Sequence, residues 1–150
     1  MIHFATYDSP FGLIEIGYEG GFLLSIRRVI SKTHHVPSAI SDLANMQLQE
    51  YFEGKRTSFD LPILPKGTPF QLAVWTHLLE IPYGEVRTYG QIAAEIGNSK
   101  SSRAVGQAAN RNPLWIVIPC HRVIGKNHSL TGYAGGLDMK RRLLQLEQTL

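Results

Sequence analysis

The chain has 150 residues, 43% hydrophobic and 18% charged, enough for one domain of ordinary size or two small lobes, and a composition that excludes a disordered or fibrous protein. Its net charge of +3 is unevenly divided: residues 1–65 carry five Lys/Arg against seven Asp/Glu, and residues 66–150 carry ten against five, so a polyanion partner, or simply a solvated basic surface, is expected in the second half. No apolar run approaches a membrane span, the N-terminus lacks the pattern of a secretory signal, and a single cysteine excludes an internal disulfide, so a cytoplasmic protein is expected.

Phe4–Tyr7, Leu13–Tyr18 and Phe22–Ile26 are apolar or alternating runs separated by Ser9-Pro10 and Glu19-Gly20-Gly21, which predicts a three-stranded antiparallel meander. His34-His35-Val36-Pro37 reads as a surface loop; the paired histidines have no cysteine or carboxylate cluster beside them to make a metal site. Ser38 caps a predicted helix to about Phe52, with Ile40, Leu43, Ala44, Leu48 and Tyr51 as its inward face. Residues 55–66, with Pro62, Pro65 and the following Gly67, read as a connector to a second lobe.

Thr68-Pro69 opens a helix with a cap and a first-turn proline, and Phe70, Ala73, Val74, His77 and Ile81 form its predicted stripe, which Pro82-Tyr83-Gly84 ends. Thr88 caps a helix in which Tyr89, Ile92, Ala93 and Ile96 share a face. After Gly97-Asn98, a helix from about Ser101 to Arg111 divides into Val105, Ala108 and Ala109 on one side and Arg103, Gln107 and Asn110 on the other. Two short helices around a glycine turn make a helix-turn-helix. Its polar face is either solvated or, with Lys100, Arg103 and Arg111 nearby, a DNA-binding surface.

Trp115–Ile118 reads as a short buried strand that Pro119 ends. The only cysteine, Cys120, follows, and His121 comes directly after it. Such a thiol is either a small buried hydrophobe or a nucleophile beside its base. Val123–Gly125 and Ser129–Thr131 read as a hairpin around Lys126-Asn127-His128, and Gly132-Tyr133-Ala134-Gly135-Gly136 as a close-approach loop. A last helix, about Leu137 to Gln148, buries Met139, Leu143 and Leu146. Glu147, at its C-terminal end, is opposed by the helix dipole and hints at another task.

Pro119-Cys120-His121-Arg122-Val123, with Asn112-Pro113 before it and Gly132–Gly136 after it, resembles the active-site signature of the O6-alkylguanine-DNA alkyltransferases. The resemblance extends through Ile81–Glu85, Thr88-Tyr89, Ser102–Gly106, Leu143-Leu144 and Glu147, essentially all of residues 68–148. It implies an α+β fold: a ribonuclease-H-like sheet-and-helix lobe over 1–65, then a helical lobe over 66–150 with a winged-helix-like helix-turn-helix. It implies a monomer that binds double-stranded DNA from the minor groove and everts an alkylated guanine. The alkyl group then moves irreversibly to Cys120, with alkylated thymine as a second candidate substrate.

By the same resemblance, His121 reaches Cys120 through a water and is oriented by Glu147, while Asn112 braces the turn. Tyr89 contacts the base ring, and the Ala134 amide faces the base oxygen. The carbonyls of Cys120 and Val123 face the exocyclic amine, Tyr133 walls the pocket and Lys140 supports it. Arg103 fills the vacated stack, and Thr88, Ser102, Ala104, Gly106, Gln107, Asn110 and Arg111 contact DNA. Two departures stand out. Trp115 is bulky and would narrow the pocket against large alkyl groups, and His128 stands where glycine is common, leaving Asn127 to take the left-handed conformation. N-terminal cysteines that hold zinc in some members are missing, so neither a metal nor a cofactor is expected. A damage-recognition module with a structural cysteine and a thiol hydrolase are the competing uses of the same residues.

Overall fold

The computed structural model describes residues 1–32 and 34–149 and divides into two compact units, Met1–Lys66 and Gly67–Leu150. In the first, β1 (His3–Ser9), β2 (Gly12–Glu19) and β3 (Phe22–Arg28) form the expected antiparallel meander, in the order β1-β2-β3. Gly20 and Gly21 both have positive φ, the conformation that matches a two-residue hairpin to the strand twist. Ala5, Ile14, Ile16, Leu23 and Ile26 form the sheet side of a core that Ala44, Leu48 and Tyr51 of α1 (Ala39–Phe52) complete.

Ser38 caps α1 with Ser41 in a reciprocal capping box. Ala44, Leu48 and Tyr51 of the expected stripe are buried, but the rest of the buried face differs. Leu43 is exposed and Ile40 half-buried, whereas Ser41 and Gln47 are buried. The polar residues are tolerated because they are satisfied: the Gln47 amide donates to Asp60 O at 3.1 Å and accepts from Asp60 N at 3.0 Å. The connector is also more ordered than its prolines suggest, since Leu23 N donates to Pro62 O and Leu23 O accepts from Leu64 N, which lays residues 62–64 along β3.

The second unit begins with α2 (Pro69–Leu79), capped by Thr68. Of its expected stripe, Val74 and Ile81 are buried, but Phe70, Ala73 and His77 are only half-buried. Trp75 and Leu78 take the core instead. The Trp75 indole fixes this rotation by donating to Ala108 O at 2.9 Å. After β4 (Arg87–Thr88), α3 (Tyr89–Ile96) ends at Gly97, whose φ of 96° closes the turn into α4 (Ser102–Asn110). Val105, Ala108 and Ala109 are buried on α4, and Arg103, Gln107 and Asn110 are exposed, the division read from the sequence.

Two expectations fail around the cysteine. Residues 115–118 are not a strand but a tight turn with one isolated bridge, Trp115 to Ile118. Cys120–Arg122 then form a single 3-10 turn. The predicted hairpin is also absent. β5 (Val123–Ile124) pairs in parallel with β4, and residues 126–128 form a 3-10 turn closed by Gly125 N donating to Ser129 O. In both places apolar β-branched residues signal burial, and burial here is met by turns. Asn127 does adopt the left-handed conformation, at φ 62°. The unit ends in α5 (Leu137–Leu146), which buries Met139, Lys140, Leu143 and Leu144.

Candidate active site

The turn between α4 and the cysteine is organised by one side chain. Asn112, 3% exposed, accepts from Leu114 N at 2.9 Å and donates through Nδ2 to Ile118 O at 2.8 Å, closing the loop across its own neck. The same amide lies 3.1 Å from Cys120 Sγ. Ile116, at the tip, has a φ of 74°. A β-branched residue in that region costs about 1–3 kcal/mol, and it is held there by burial to 2% exposure.

Cys120 is 3% exposed. Burial pushes its thiol up from 9.0 to about 11, against the smaller opposing effects of the Asn112 hydrogen bond and the Lys140 charge. The resting group is therefore a thiol, not the thiolate expected of a nucleophile. His121 is fully buried, and burial lowers its basicity although Glu147 opposes the shift. Its Nε2 lies 2.7 Å from Glu147 Oε2. A carboxylate only accepts, so Nε2 carries the proton and Nδ1 the lone pair of the neutral ring. Nδ1 is buried and has no hydrogen-bond partner among the described residues. Glu147 caps α5, and Arg122 grips it through Nε at 2.8 Å and Nη2 at 3.1 Å.

A second cluster lies in the same unit. Lys140 is fully buried, and its ammonium donates to Val123 O, Thr131 O and Gly132 O at 2.5, 2.9 and 3.4 Å. Burial lowers it from 10.5 to about 8. The Tyr89 hydroxyl donates to Thr131 O at 2.8 Å, and its ring lies 5.8 Å from the Lys140 nitrogen. One cation thus ties the 131–136 loop to Val123 and to α3. Trp115 and Tyr133 face each other with ring centroids 6.1 Å apart, and both crowd Gly135, where a Cβ would lie 2.7 Å from Tyr133 and 3.2 Å from Trp115. Ala134, beside them, is exposed.

On the outer face, Thr88, Ser102 and Arg103 line a groove of about 570 Å³ together with Tyr89, Gly90 and Lys126. Ala104, Gln107, Asn110 and Arg111 line a second groove of about 570 Å³ against Thr68, Phe70 and Gln71. Gly106 sits against the Tyr89 ring, which a Cβ there would meet at 3.7 Å. The sequence reading passed over Arg122 and Lys126. Arg122 had a signal, a cation directly after the Cys-His pair; Lys126 had none beyond the basic bias of this half. Among the described residues no group of three His, Cys, Asp or Glu side chains could hold a metal ion.

A sheet-and-helix unit followed by a helical unit with a helix-turn-helix and a buried thiol backed by a histidine–carboxylate pair defines the class. The chain belongs to the 6-O-methylguanine DNA methyltransferase family: the family's ribonuclease-like domain matches residues 2–65 and its DNA binding domain matches residues 69–149. It is 50% identical to the methylated-DNA–protein-cysteine methyltransferase of Methanosarcina acetivorans, over 97% of this chain and 98% of that one. The crystal structure of the O6-methylguanine methyltransferase of Mycobacterium tuberculosis superposes with a TM-score of 0.90 at 44% identity, over 99% of this chain and 94% of that one. A structure of the same organism's protein in complex with DNA also gives 0.90, at 46% identity over 98% and 93%.

Proposed function

We propose that the protein repairs DNA by direct reversal, moving the methyl group of O6-methylguanine to Cys120 in a reaction that each molecule performs once. The observation that carries this reading is the Asn112–Cys120 contact with the His121–Glu147 pair behind it, in a chain whose relatives bear that name. A base inside a duplex is out of reach of a thiol that is 3% exposed, so the nucleotide must be everted, at a cost of a few kcal/mol. Arg103, exposed on α4, enters the minor groove and fills the gap, and Tyr89 turns the nucleotide and touches its ring. Thr88, Ser102, Ala104, Gly106, Gln107, Asn110 and Arg111 follow the backbone on either side.

In the pocket the carbonyls of Cys120 and Val123 take the exocyclic amine, and the Ala134 amide takes the base oxygen. Tyr133 and Trp115 wall the alkyl side, which favours methyl over bulkier groups, and Lys140 holds the loop that carries Ala134. The sulfur then attacks the methyl carbon. The Sγ–C bond forms as the C–O6 bond breaks, and the electron pair goes to the purine oxygen. The thiol proton passes through a water to His121 Nδ1 and returns by way of water to the departing guanine anion, which leaves as the neutral base while His121 is restored to its neutral form. Because burial holds the thiol at about 11, the resting sulfur keeps its proton and needs a base to remove it for the attack. The protein acts as a monomer. No helix among the described residues is long and apolar enough to cross a membrane, and the reading assigns it to the cytoplasm.

The test is intact mass after incubation with O6-methylguanine duplex. The wild type gains one methylene unit on Cys120, and Cys120→Ala gains none. An unmodified wild type sinks the proposal. A damage-recognition module instead predicts binding without any mass change, and a thiol hydrolase predicts repeated turnover that Arg103 does not influence.

A further inference from the structure

Arg122 is the one charged side chain of this centre that the reaction above does not use. It is 7% exposed, and its donors are committed in three directions. Nε and Nη2 reach both oxygens of Glu147, and Nη1 donates to Ile81 O, just beyond α2, at 2.6 Å. The Tyr83 ring lies 5.8 Å from the guanidinium carbon, and its hydroxyl donates to Leu146 O, the residue before Glu147. The Oε2 atom that accepts from Arg122 also accepts from His121. A planar guanidinium fork presents two parallel N–H groups to the two carboxylate oxygens while a third reaches the carbonyl; an ammonium has three donors but not that coplanar spacing.

We infer that Arg122 is a positioning residue for methyl transfer, which clamps both oxygens of Glu147 and so keeps the His121 ring in the orientation and charge state in which Nδ1 can take the Cys120 proton. The inference rests on the reaction proposed above. A buried carboxylate bonded to an imidazole alone would draw a proton onto the ring, and the adjacent guanidinium offsets that pull. Five groups set the balance. Glu147 raises the basicity of His121, while Arg122 and Lys140 lower it. The Cys120 thiol precedes the ring in sequence, and the Tyr83 hydroxyl faces the Arg122–Glu147 pair. Without the Arg122 charge His121 becomes more basic, stays protonated to higher pH, and the acid limb of the rate profile moves up.

The experiment measures single-turnover methyl transfer by full-length wild type, Arg122→Met and Arg122→Lys from about pH 5.5 to about pH 9, with melting temperature and affinity for undamaged duplex followed on the same samples. The Arg122→Met limb is expected about one pH unit above wild type, and because the fork is lost as well its alkaline plateau stays about tenfold or more below wild type. Arg122→Lys keeps the charge but loses the fork, so its limb stays in place and its rate falls about tenfold at every pH. A merely structural ion pair would lower the rate evenly in Arg122→Met, in step with lost stability, and that result overturns the inference. Should Arg122→Met fail to fold, Arg122→Lys decides: transfer at the wild-type rate throughout overturns the need for the fork. A wild type that takes up no methyl removes the reading beneath the inference, whereas a reactive wild type with an unshifted Arg122→Met removes the inference alone.

Discussion

Cys120 and His121 rest neutral in a site that also contains a buried carboxylate, a guanidinium and an ammonium, and this has a measurable thermodynamic sign. The folded protein holds the Cys120 proton to about 11, whereas an unfolded thiol releases it near 9.0. A raised folded pKa contributes stability that is complete below pH 9 and is lost as pH rises to 11, because above pH 9 the unfolded chain binds fewer protons than the folded one. Compared with Cys120→Ala, the wild type should therefore lose stability between pH 9 and 11. Urea midpoints of the two proteins at pH 7, 9 and 10.5 check this, and a constant difference would show that the thiol is less shielded than its burial implies. At this scale the sequence was informative where a residue was chemically out of place, as with Cys120, His121 and Glu147. It was silent on the protonation state, because burial is set by segments far apart in the chain: the residues round the sulfur come from the ends of α4 and α5 and from the turn between them.

Among the elements, α3 and α4 were the most legible, because Thr88, Gly97 and the division of α4 are local signals that nothing later overrides. The 115–118 segment was the least legible. Its apolar run was read as a strand, but Ile116 lies in a left-handed turn that the Asn112 amide closes from outside the segment. The 123–131 hairpin failed for a related reason, since β5 is satisfied in parallel by β4 and needs no returning strand. Gly106 gives a test that separates helix from function. A Cβ at that position meets only the Tyr89 ring, at an ordinary 3.7 Å. Gly106→Ala should raise stability by about 0.5–1 kcal/mol, the usual gain in a helix interior. Yet it should weaken duplex binding, because the small face of α4 is what approaches the groove. Thermal melts and a binding isotherm on the same sample settle both halves, and unchanged affinity would argue against that approach.

Across the whole chain, the division of charge matches the division of the family domains, with ten of the fifteen Lys/Arg in residues 66–150. Attraction to phosphate of this kind carries little sequence information and releases counterions on binding. Raising salt from about 50 to about 200 mM should weaken binding on the order of a hundredfold if about four phosphates are contacted. The loss should be equal for lesion-bearing and undamaged duplex, so that the ratio between them, which reports the pocket, stays constant. A ratio that changes with salt would mean that charge, and not the fit of the everted base, selects the lesion.

The depth at which the sulfur lies also decides what can consume the protein. Small electrophiles and oxidants drifting through solvent meet a sulfhydryl that is protonated and 3% exposed, so a molecule that has not met a lesion should be largely spared them. If each encounter with damage retires one copy, the ratio of modified to unmodified chains in a cell becomes a running record of the lesions it has erased.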